Sequence, residues 1–470
     1  MSTFVLTLIA AGTLAFGAVY PWAYLPLLAA AVVIGVMGLR RGGTSPALHH
    51  VAVSLLVLWA VAALQLIPLP PALVGTVSPS APAIAGSYSL TFAGDASWLP
   101  LSIDPARTRV AVAAIGALGL YVIGLPALLT ARGLRHFPCG LACVAMPLAL
   151  FVIYTREHNN GLIYGFWQSL DGGGADQAGP FINRNHFGGW IVMSLCVMVG
   201  WLLGRIERAV PAGKAPARTS IVSDDMGAVL LMGTVIVLGT ISLFWVVSRS
   251  AIVSFGAATV VFAWLAIERR TMGSTQRTLV LAMLAVALLA GVSWRGLDTL
   301  VRWFLDERSL LSRIDAWRDG WDVVRDFPLF GTGLNTYSPA MLFYQTRNPE
   351  FHMAQAHNDY LQLLAEGGAM VAIAAAVTAG LLVRAIRQTL RAARIEAHGY
   401  WIRAGAAVGL MAVACQELVE FSLQIPANAF LFCTLAAIAI TPVSAAHTRA
   451  TVTSRGNIQL AKESAGAALP

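Results

Sequence analysis

Polar side chains gather at four places in this largely apolar chain, and each place combines residue types that could do chemistry. Asparagine, arginine and histidine precede one apolar stretch, and a Ser-Arg-Ser tripeptide separates two others. An arginine and an aspartate lie in a long connecting segment, and a fourth run opens a later apolar stretch. The four groups are Phe181-Ile182-Asn183-Arg184-Asn185-His186-Phe187, Ser248-Arg249-Ser250, Arg313 with Asp315, and His357-Asn358-Asp359-Tyr360-Leu361-Gln362. Arginines beside a histidine suit the binding of an anion next to a group that accepts a proton.

The arginines Arg184, Arg249 and Arg313 are candidates to bind a phosphorylated group. A planar guanidinium can donate two parallel hydrogen bonds to phosphate, and two or three converging arginines would match the charge of a diphosphate. The residues Asn183, Asn185 and His186 make the surroundings of Arg184 unusually polar. Arg249 alone has a simpler interpretation, in which its side chain snorkels to lipid headgroups. The sequence leaves both interpretations open.

His357 is the candidate general base. It stands at the start of a predicted helix, whose N-terminus favours the neutral imidazole that a base requires. Asp359 and Glu366 are candidates to orient its ring, as carboxylates often do. Two other interpretations are a capping histidine and a metal ligand. His186, His352 and His357 show no tight ligand spacing, so we expect no metal.

The composition indicates that these groups belong to a membrane protein. The chain has 470 residues, of which 57% are hydrophobic and only 11% are charged, and its mean hydropathy is +0.71. Soluble domains carry roughly 25% charged residues, so this chain has too few charges to cover a soluble surface.

The five cysteines all lie in apolar stretches, so we expect no disulfide framework. The formal net charge of +8 is a poor guide to partners in such a protein, and no nucleic-acid surface is evident.

The apolar stretches predict an all-α polytopic membrane protein with about twelve transmembrane helices. The first stretch lacks a basic start and a small-residue cleavage site, so we expect a retained span and not a signal peptide. The predicted spans are 4–20, 23–39, 51–67, 110–130, 138–154, 187–204, 227–247, 250–267, 278–294, 367–388, 402–420 and 427–443.

The distribution of lysine and arginine predicts the orientation. One set of loops and the tail hold most of these residues, including Arg40, Arg41 and the arginines of 384–394. Both termini are therefore expected in the cytoplasm, and the four polar groups outside it. The chain is expected to form a single membrane-embedded domain over 1–445, followed by a disordered cytoplasmic tail over 446–470.

Three extracytoplasmic segments are long, namely 68–109, 155–186 and 295–366. The second contains Asp171-Gly172-Gly173-Gly174, and we expect it to be mobile. The third contains an amphipathic helix over 309–326, with Ile314, Trp317 and Trp321 on its apolar face. This helix either caps the bundle or forms a wall of a cavity for a lipid substrate, and the sequence does not choose between them.

The four groups, taken in order, resemble the O-antigen ligase and polymerase family. The most specific piece is HNDYLQLLAEGG at 357–368, and the resemblance extends over about 181–432. The first five predicted spans carry no matching motif. The other resembling pieces are FINRNHFGGW at 181–190, SRS at 248–250, RIDAWRDGWDVVRDFPLFGTGLNTY at 313–337 and, more weakly, EFSLQIPANAFLF at 420–432.

The resemblance implies a GT-C-like glycosyltransferase of the bacterial inner membrane. Such enzymes transfer a glycan from a polyprenyl diphosphate carrier to lipid A–core, to another carrier-linked glycan or to protein, on the periplasmic side. His357 matches the proposed catalytic histidine of the family, Arg184 and Arg249 match arginines proposed to bind the diphosphate, and Arg313 is a weaker match. We expect support from Asn358, Asp359, Tyr360, Glu366 and Glu420, the last of which is expected to pair with an arginine.

The expected chemistry is a direct displacement. An acceptor hydroxyl attacks the anomeric carbon, polyprenyl diphosphate leaves, and the configuration inverts. The carrier is already activated, so we expect no cofactor, ATP or sugar nucleotide. The partners are the carrier-linked glycan, a glycan or lipid A–core acceptor, and membrane lipids.

Three alternatives remain. A polymerase of repeat units shares the donor chemistry, although we favour a ligase. A flippase for lipid-linked glycans should carry ionisable residues within its spans and repeated halves, and neither is evident. A purely structural membrane protein would leave the four polar groups unexplained.

Overall fold

The computed structural model describes residues 1–42, 46–88, 98–169, 177–209, 226–295, 301–302, 308–348 and 351–443. Over these residues the chain is almost entirely helical, and its only β pairing consists of three isolated bridges. A backbone in hydrocarbon must satisfy its own hydrogen bonds, which a helix does within one segment. The predicted all-α class is confirmed. The segment around 171–174 and the tail over 446–470 lie outside the described residues.

In the described part of the chain, eleven helices precede the segment over 295–366, which is predicted to lie outside the cytoplasm and is called the outer segment below. They are α1 (Ser2–Leu14), α2 (Pro21–Arg41), α3 (Pro46–Leu64), α4 (Pro71–Val77), α5 (Ala81–Tyr88), α6 (Pro105–Leu128), α7 (Ala131–Glu157), α8 (Arg184–Ala209), α9 (Met226–Trp245), α10 (Arg249–Glu268) and α11 (Ser274–Arg295). The described residues from 308 onward form five further helices, α12 (Arg308–Asp326) and α13 (Tyr337–Tyr344) within the outer segment, then α14 (Asp359–Ala392), α15 (Ala397–Gln416) and α16 (Pro426–Ile440).

The described part of the chain contains nine helices long and apolar enough to cross a membrane. Two shorter apolar helices are α1 and α16, and α15 is not one of the nine. Each of the twelve predicted spans overlaps a helix, and the polytopic membrane class is confirmed. The number twelve itself stays a prediction.

Helix α8 lies at the centre of the bundle. The most apolar stretch of α8 is entirely buried, because α7, α9, α10 and α15 pack around it. It approaches α15 most closely where Gly200 meets Gly405, since a side chain at either position would collide with the opposite backbone. This packing holds the first residues of α8 inside the bundle.

The long outer segment packs on the first turns of α14. Its amphipathic helix, predicted over 309–326, is α12, and Val323 and Phe327 from its C-terminal end are buried with Tyr337, Ala356 and Ala365. The turn over 328–333 then inserts into a break in α14. Ala369 N donates to Pro328 O at 2.8 Å, and Gly333 N donates to Glu366 O at 2.8 Å.

The break in α14 lies at Gly368, where φ is +60° and ψ is −172°. A side chain there would meet the carbonyl of Leu329. Glycine is therefore required for both the backbone conformation and the close approach of the turn. The consequence is a short outer helix over 359–367 that is fixed to α12 and the turn before the chain continues along the bundle.

Candidate functional site

His357 sits immediately before α14 with its backbone fixed on both sides. The indole of Trp317 donates to Ala356 O at 2.9 Å, and the Asn358 side chain caps α14 by accepting from Tyr360 N and Leu361 N at 3.1 and 3.0 Å. The φ of His357 is +49°, a conformation that is uncommon for a residue with a side chain. Such strain persists where the surrounding contacts impose it, and it is frequent at functional sites.

The carboxylate that faces His357 belongs to Glu420, in the turn between α15 and α16. Glu420 Oε2 is 3.7 Å from His357 Nδ1, which is longer than a hydrogen bond, and Oε1 is 2.5 Å from Arg313 Nη2. The Glu420 side chain is 1% exposed. Burial alone would raise its pKa, but the nearby His357 and the positive charge of Arg313 outweigh that effect and lower the pKa below its ordinary value. Glu420 is therefore an anion between two groups that can carry positive charge.

The two candidate orienting carboxylates make other contacts. Asp359 accepts from Gln424 Nε2 at 2.6 Å and lies beside the side chain of Glu417. Glu366 accepts from Asn335 N at 2.7 Å and from Tyr337 N at 2.9 Å. Glu366 thus fixes the turn before α13, and among the described residues Glu420 is the carboxylate within ion-pair distance of the His357 ring.

A second histidine lies close to the first. Phe421 packs edge-to-face on His186 at 4.6 Å and on His357 at 4.9 Å, so its ring stands between the two imidazoles. His186 is buried, and its backbone carbonyl accepts from Asn428 Nδ2 at 2.9 Å. The structure thereby brings together residues of α8, of the His357 loop and of the 417–425 turn.

Arg184 and Arg249 are the first residues of α8 and α10. These helix starts are joined by Ser248 Oγ, which donates to Asn185 Oδ1 at 2.8 Å, while Asn183 Oδ1 accepts from Asn185 N at 2.8 Å. Two adjacent helix N-termini favour a bound anion through the N–H groups of their first turns and through their dipoles. The helices that begin with Arg184 and Arg249 therefore start side by side, joined through Ser248 and Asn185.

The Ser-Arg-Ser group also reaches the histidine side of the site. Ser250 Oγ lies 3.5 Å from Glu420 Oε1 and 3.4 Å from Ser248 Oγ. Asn185, the two serines, Glu420 and His357 thus form a continuous row of polar contacts. One end of this row lies at the start of α8 and the other at the start of α14.

Two buried glutamines complete the site, of which Gln362 ends the fourth polar group of the sequence and Gln416 was not singled out from it. Gln362 Nε2 lies 3.1 Å from Glu366 Oε1, and Gln362 Oε1 accepts from Ala356 N at 2.9 Å, beside His357. Gln416 Nε2 donates to Asn185 O at 3.0 Å. An uncharged amide near the outer end of an apolar helix was the available signal, because such a group must find a partner there.

Tyr360 and Glu417 close the other side of the 417–425 turn. Tyr360 donates its hydroxyl to Ala414 O at 2.6 Å, and Glu417 accepts from Ser422 N at 2.7 Å. Burial raises the pKa of Glu417, and the adjacent Asp359 carboxyl raises it further. This pair therefore retains a proton more readily than separate carboxyls would. Within the described ranges, no group of three or more His, Cys, Asp or Glu residues is arranged to hold a metal ion.

Residues 234–376 match the family model described as O-antigen ligase. This segment carries an O-antigen ligase-related domain, which confirms the resemblance drawn from the motifs. The match spans less than a third of the chain and includes Arg249, Arg313 and His357, whereas Arg184 and Glu420 lie outside it. No curated protein shows a significant match to the chain.

Proposed function

We propose that this protein transfers a glycan from a polyprenyl diphosphate carrier to a hydroxyl group of an acceptor sugar. The family match supports an activity of the O-antigen ligase or polymerase type in general. The observation that carries the specific proposal is the arrangement of His357, which faces the buried Glu420 carboxylate while Arg313 holds that carboxylate from the other side.

In the proposed step His357 acts as general base. The acceptor hydroxyl forms a bond to the anomeric carbon, its proton passes to the imidazole, and the bond from that carbon to the diphosphate oxygen breaks. The resulting imidazolium would be stabilised by the Glu420 anion, which is preformed and shielded from water. Attack opposite the leaving group inverts the anomeric configuration, and neither a covalent nucleophile nor a metal ion is required.

The diphosphate is assigned to the adjacent starts of α8 and α10. Arg184 and Arg249 would neutralise its charge as it leaves, and the helix N-termini would add N–H donors. Asn183, Asn185 and His186 line the same region and would complete the binding of the carrier. His186 is buried against Phe421, so its proposed contribution is to shape the site.

The site is assigned to the periplasmic side of the bacterial inner membrane, with both termini in the cytoplasm. The asymmetry of lysine and arginine between the two sets of loops supports this orientation. Lipid A–core is the favoured acceptor, which makes the protein a ligase. A second molecule of the carrier-linked glycan would make it a polymerase with the same donor chemistry.

Transfer by purified protein in liposomes tests the proposal. Carrier-linked glycan is supplied with lipid A–core, or without it, to wild type, to His357→Ala and to a control, His352→Ala. His352 is exposed in the same outer segment and bonds to Ser338 Oγ at 3.0 Å, away from Glu420. We expect product with wild type and the control, and none with His357→Ala.

The products distinguish the alternatives. Glycan on lipid A–core indicates a ligase, and a ladder on the carrier indicates a polymerase. Normal turnover by His357→Ala would remove His357 as the base. Donor translocation without any transfer would instead make the protein a flippase.

A further inference from the structure

An open groove runs along α12, and its lining in the described structure includes no residue of α8 or α10, the helices that begin with Arg184 and Arg249. Its volume is about 840 Å³, and its walls come from α12, the first turns of α14 and the turn after α15. Clefts that bind small molecules usually span ~300–1,000 Å³. Asn358 lines the groove, so one end of the groove lies one residue from His357.

The lining of the groove combines apolar and hydrogen-bonding side chains, and most of its accessible surface is apolar. Trp317, Trp321 and Leu418 are among the apolar ones, and Arg318 and Asp322 are among the polar ones. A hydrocarbon chain laid along this surface would remove these ion pairs from water and offer their remaining donors and acceptors no hydrogen bond, which is costly. A sugar ring suits both kinds of lining, because its C–H faces pack on aromatic rings and its hydroxyls pair with planar polar groups.

The charges in the groove balance locally. Arg325 Nη1 lies 2.8 Å from Asp322 Oδ1, Arg318 Nη1 lies 3.5 Å from Asp315 Oδ1, and Arg347 pairs with the buried Asp319. Arginines that are already paired with carboxylates offer hydrogen bonds without a strong net field. The groove therefore suits an uncharged or zwitterionic glycan better than a phosphate.

The position of the groove relative to the base decides which substrate it suits. In an inverting displacement the attacking hydroxyl and the leaving diphosphate lie on opposite sides of the anomeric carbon. The row of polar contacts runs from Asn185 and Ser248 at one end, through Ser250 and Glu420, to His357 at the other. Asn358, the residue after His357, lines the groove, whereas no described residue of α8 or α10 does, so the groove adjoins the base and not the helix starts to which the diphosphate is assigned.

We propose that the groove between α12 and the first turns of α14 binds the sugar residues of the acceptor, with Trp321 as the platform on which one ring packs. This inference rests on the proposed transferase activity and adds the place at which its second substrate binds. Trp321 suits the role because its side chain is 46% exposed, whereas Trp317 is engaged through its indole N–H with Ala356.

Steady-state kinetics with separately varied donor and acceptor test the proposal. The variants are Trp321→Ala, Trp321→Phe and a control, Trp98→Ala, which removes a tryptophan that is 59% exposed on the outer segment 68–109. We expect Trp321→Ala to raise the KM for lipid A–core, or for the carrier-linked glycan used as acceptor, by about tenfold. The KM for the donor should change less than twofold. Trp321→Phe should bring the KM for the acceptor most of the way back to the wild-type value, and Trp98→Ala should behave as wild type.

A binding measurement separates failure of the groove from failure of the transferase proposal. The probe is core oligosaccharide freed from lipid A, observed by saturation-transfer NMR with wild type and each variant. Binding that is lost in Trp321→Ala supports the groove even if wild type transfers nothing, in which case only the transferase proposal fails. An unchanged acceptor KM with unchanged binding would overturn the groove proposal. An effect confined to the donor KM, or binding of polyprenyl phosphate without binding of the oligosaccharide, would assign the groove to a lipid chain and also overturn it.

Discussion

Arg313 and Glu420 form an ion pair at 2.5 Å although 107 residues separate them in the chain. Arg313 comes from the amphipathic helix of the outer segment, and Glu420 comes from the turn between the last two helices. The Glu420 side chain is almost wholly buried, while that of Arg313 is 19% exposed. The pair therefore joins the outer helix to the membrane-embedded bundle at the point where His357 enters the site.

Replacing Glu420 should impair turnover more than substrate binding. In Glu420→Gln the amide keeps the size of the side chain but loses the negative charge that faces His357 and Arg313. We expect kcat to fall roughly 10–100-fold, which corresponds to ~1.4–2.7 kcal/mol of transition-state stabilisation. Kinetics with wild type, Glu420→Gln and the exposed control Glu268→Gln measure this. An unchanged kcat in Glu420→Gln would show that the carboxylate has no part in turnover.

The Arg313–Glu420 pair should make stability depend on pH in the acid range. The pKa of Glu420 is lowered in the folded protein, so its contribution is present above the unfolded value of about 4.3. That contribution is lost as the pH falls through the lowered folded pKa. The melting temperature of wild type should therefore exceed that of Glu420→Gln at pH 6, and the difference should shrink as the pH is lowered below about 4.3. A constant difference from pH 3 to pH 6 would contradict the assignment.

Arg249 should not be replaceable by lysine if it binds a diphosphate through two parallel N–H groups of its guanidinium. An ammonium preserves the charge but cannot donate two parallel hydrogen bonds. We expect Arg249→Lys to lower kcat/KM for the carrier-linked donor at least about tenfold, and Arg249→Ala to lower it further. Arg109→Lys, at an exposed outer position, is the matched control. Full activity in Arg249→Lys would favour a snorkelling role.

Glycine at position 368 should be required for the turn over 328–333 to pack against α14. Alanine there would require a positive φ and would collide with the Leu329 carbonyl. We expect Gly368→Ala to destabilise the protein by about 1–3 kcal/mol and to lower activity by displacing the turn. Gly380→Ala, in the same helix and with no neighbouring atom within 4 Å of the added methyl group, should be neutral or slightly stabilising. Thermal unfolding in detergent compares the two, and equal melting temperatures would contradict the prediction.

Transfer should proceed without a metal ion. We expect an excess of EDTA to leave the rate of wild type within about twofold, because charge on the departing diphosphate is assigned to Arg184 and Arg249 and to the helix N-termini. Inhibition that added Mg²⁺ or Mn²⁺ reverses would refute a metal-free mechanism. The comparison uses the same liposomes and donor as the transfer experiment.

The sequence was sufficient for the helical class, the membrane location and the list of polar groups. These features depend on local composition, because a run of about 20 apolar residues must form a helix in hydrocarbon wherever it lies in the chain. The amphipathic helix over 309–326 was predictable for the same reason, since the spacing of Ile314, Trp317 and Trp321 reports one face of one helix.

Tertiary structure alone decided which polar groups meet. The sequence suggested Asp359 or Glu366 beside His357 because they are close in the chain, but Asp359 accepts from Gln424 and Glu366 accepts from the backbone before α13. The carboxylate that reaches His357 is Glu420, which lies 63 residues further along the chain and follows α15 back to the same end of the bundle. Likewise, the groove beside Trp321 exists only because α12 packs against α14. Contacts of this kind depend on how helices cross and where turns insert, and residue spacing along one chain does not encode either.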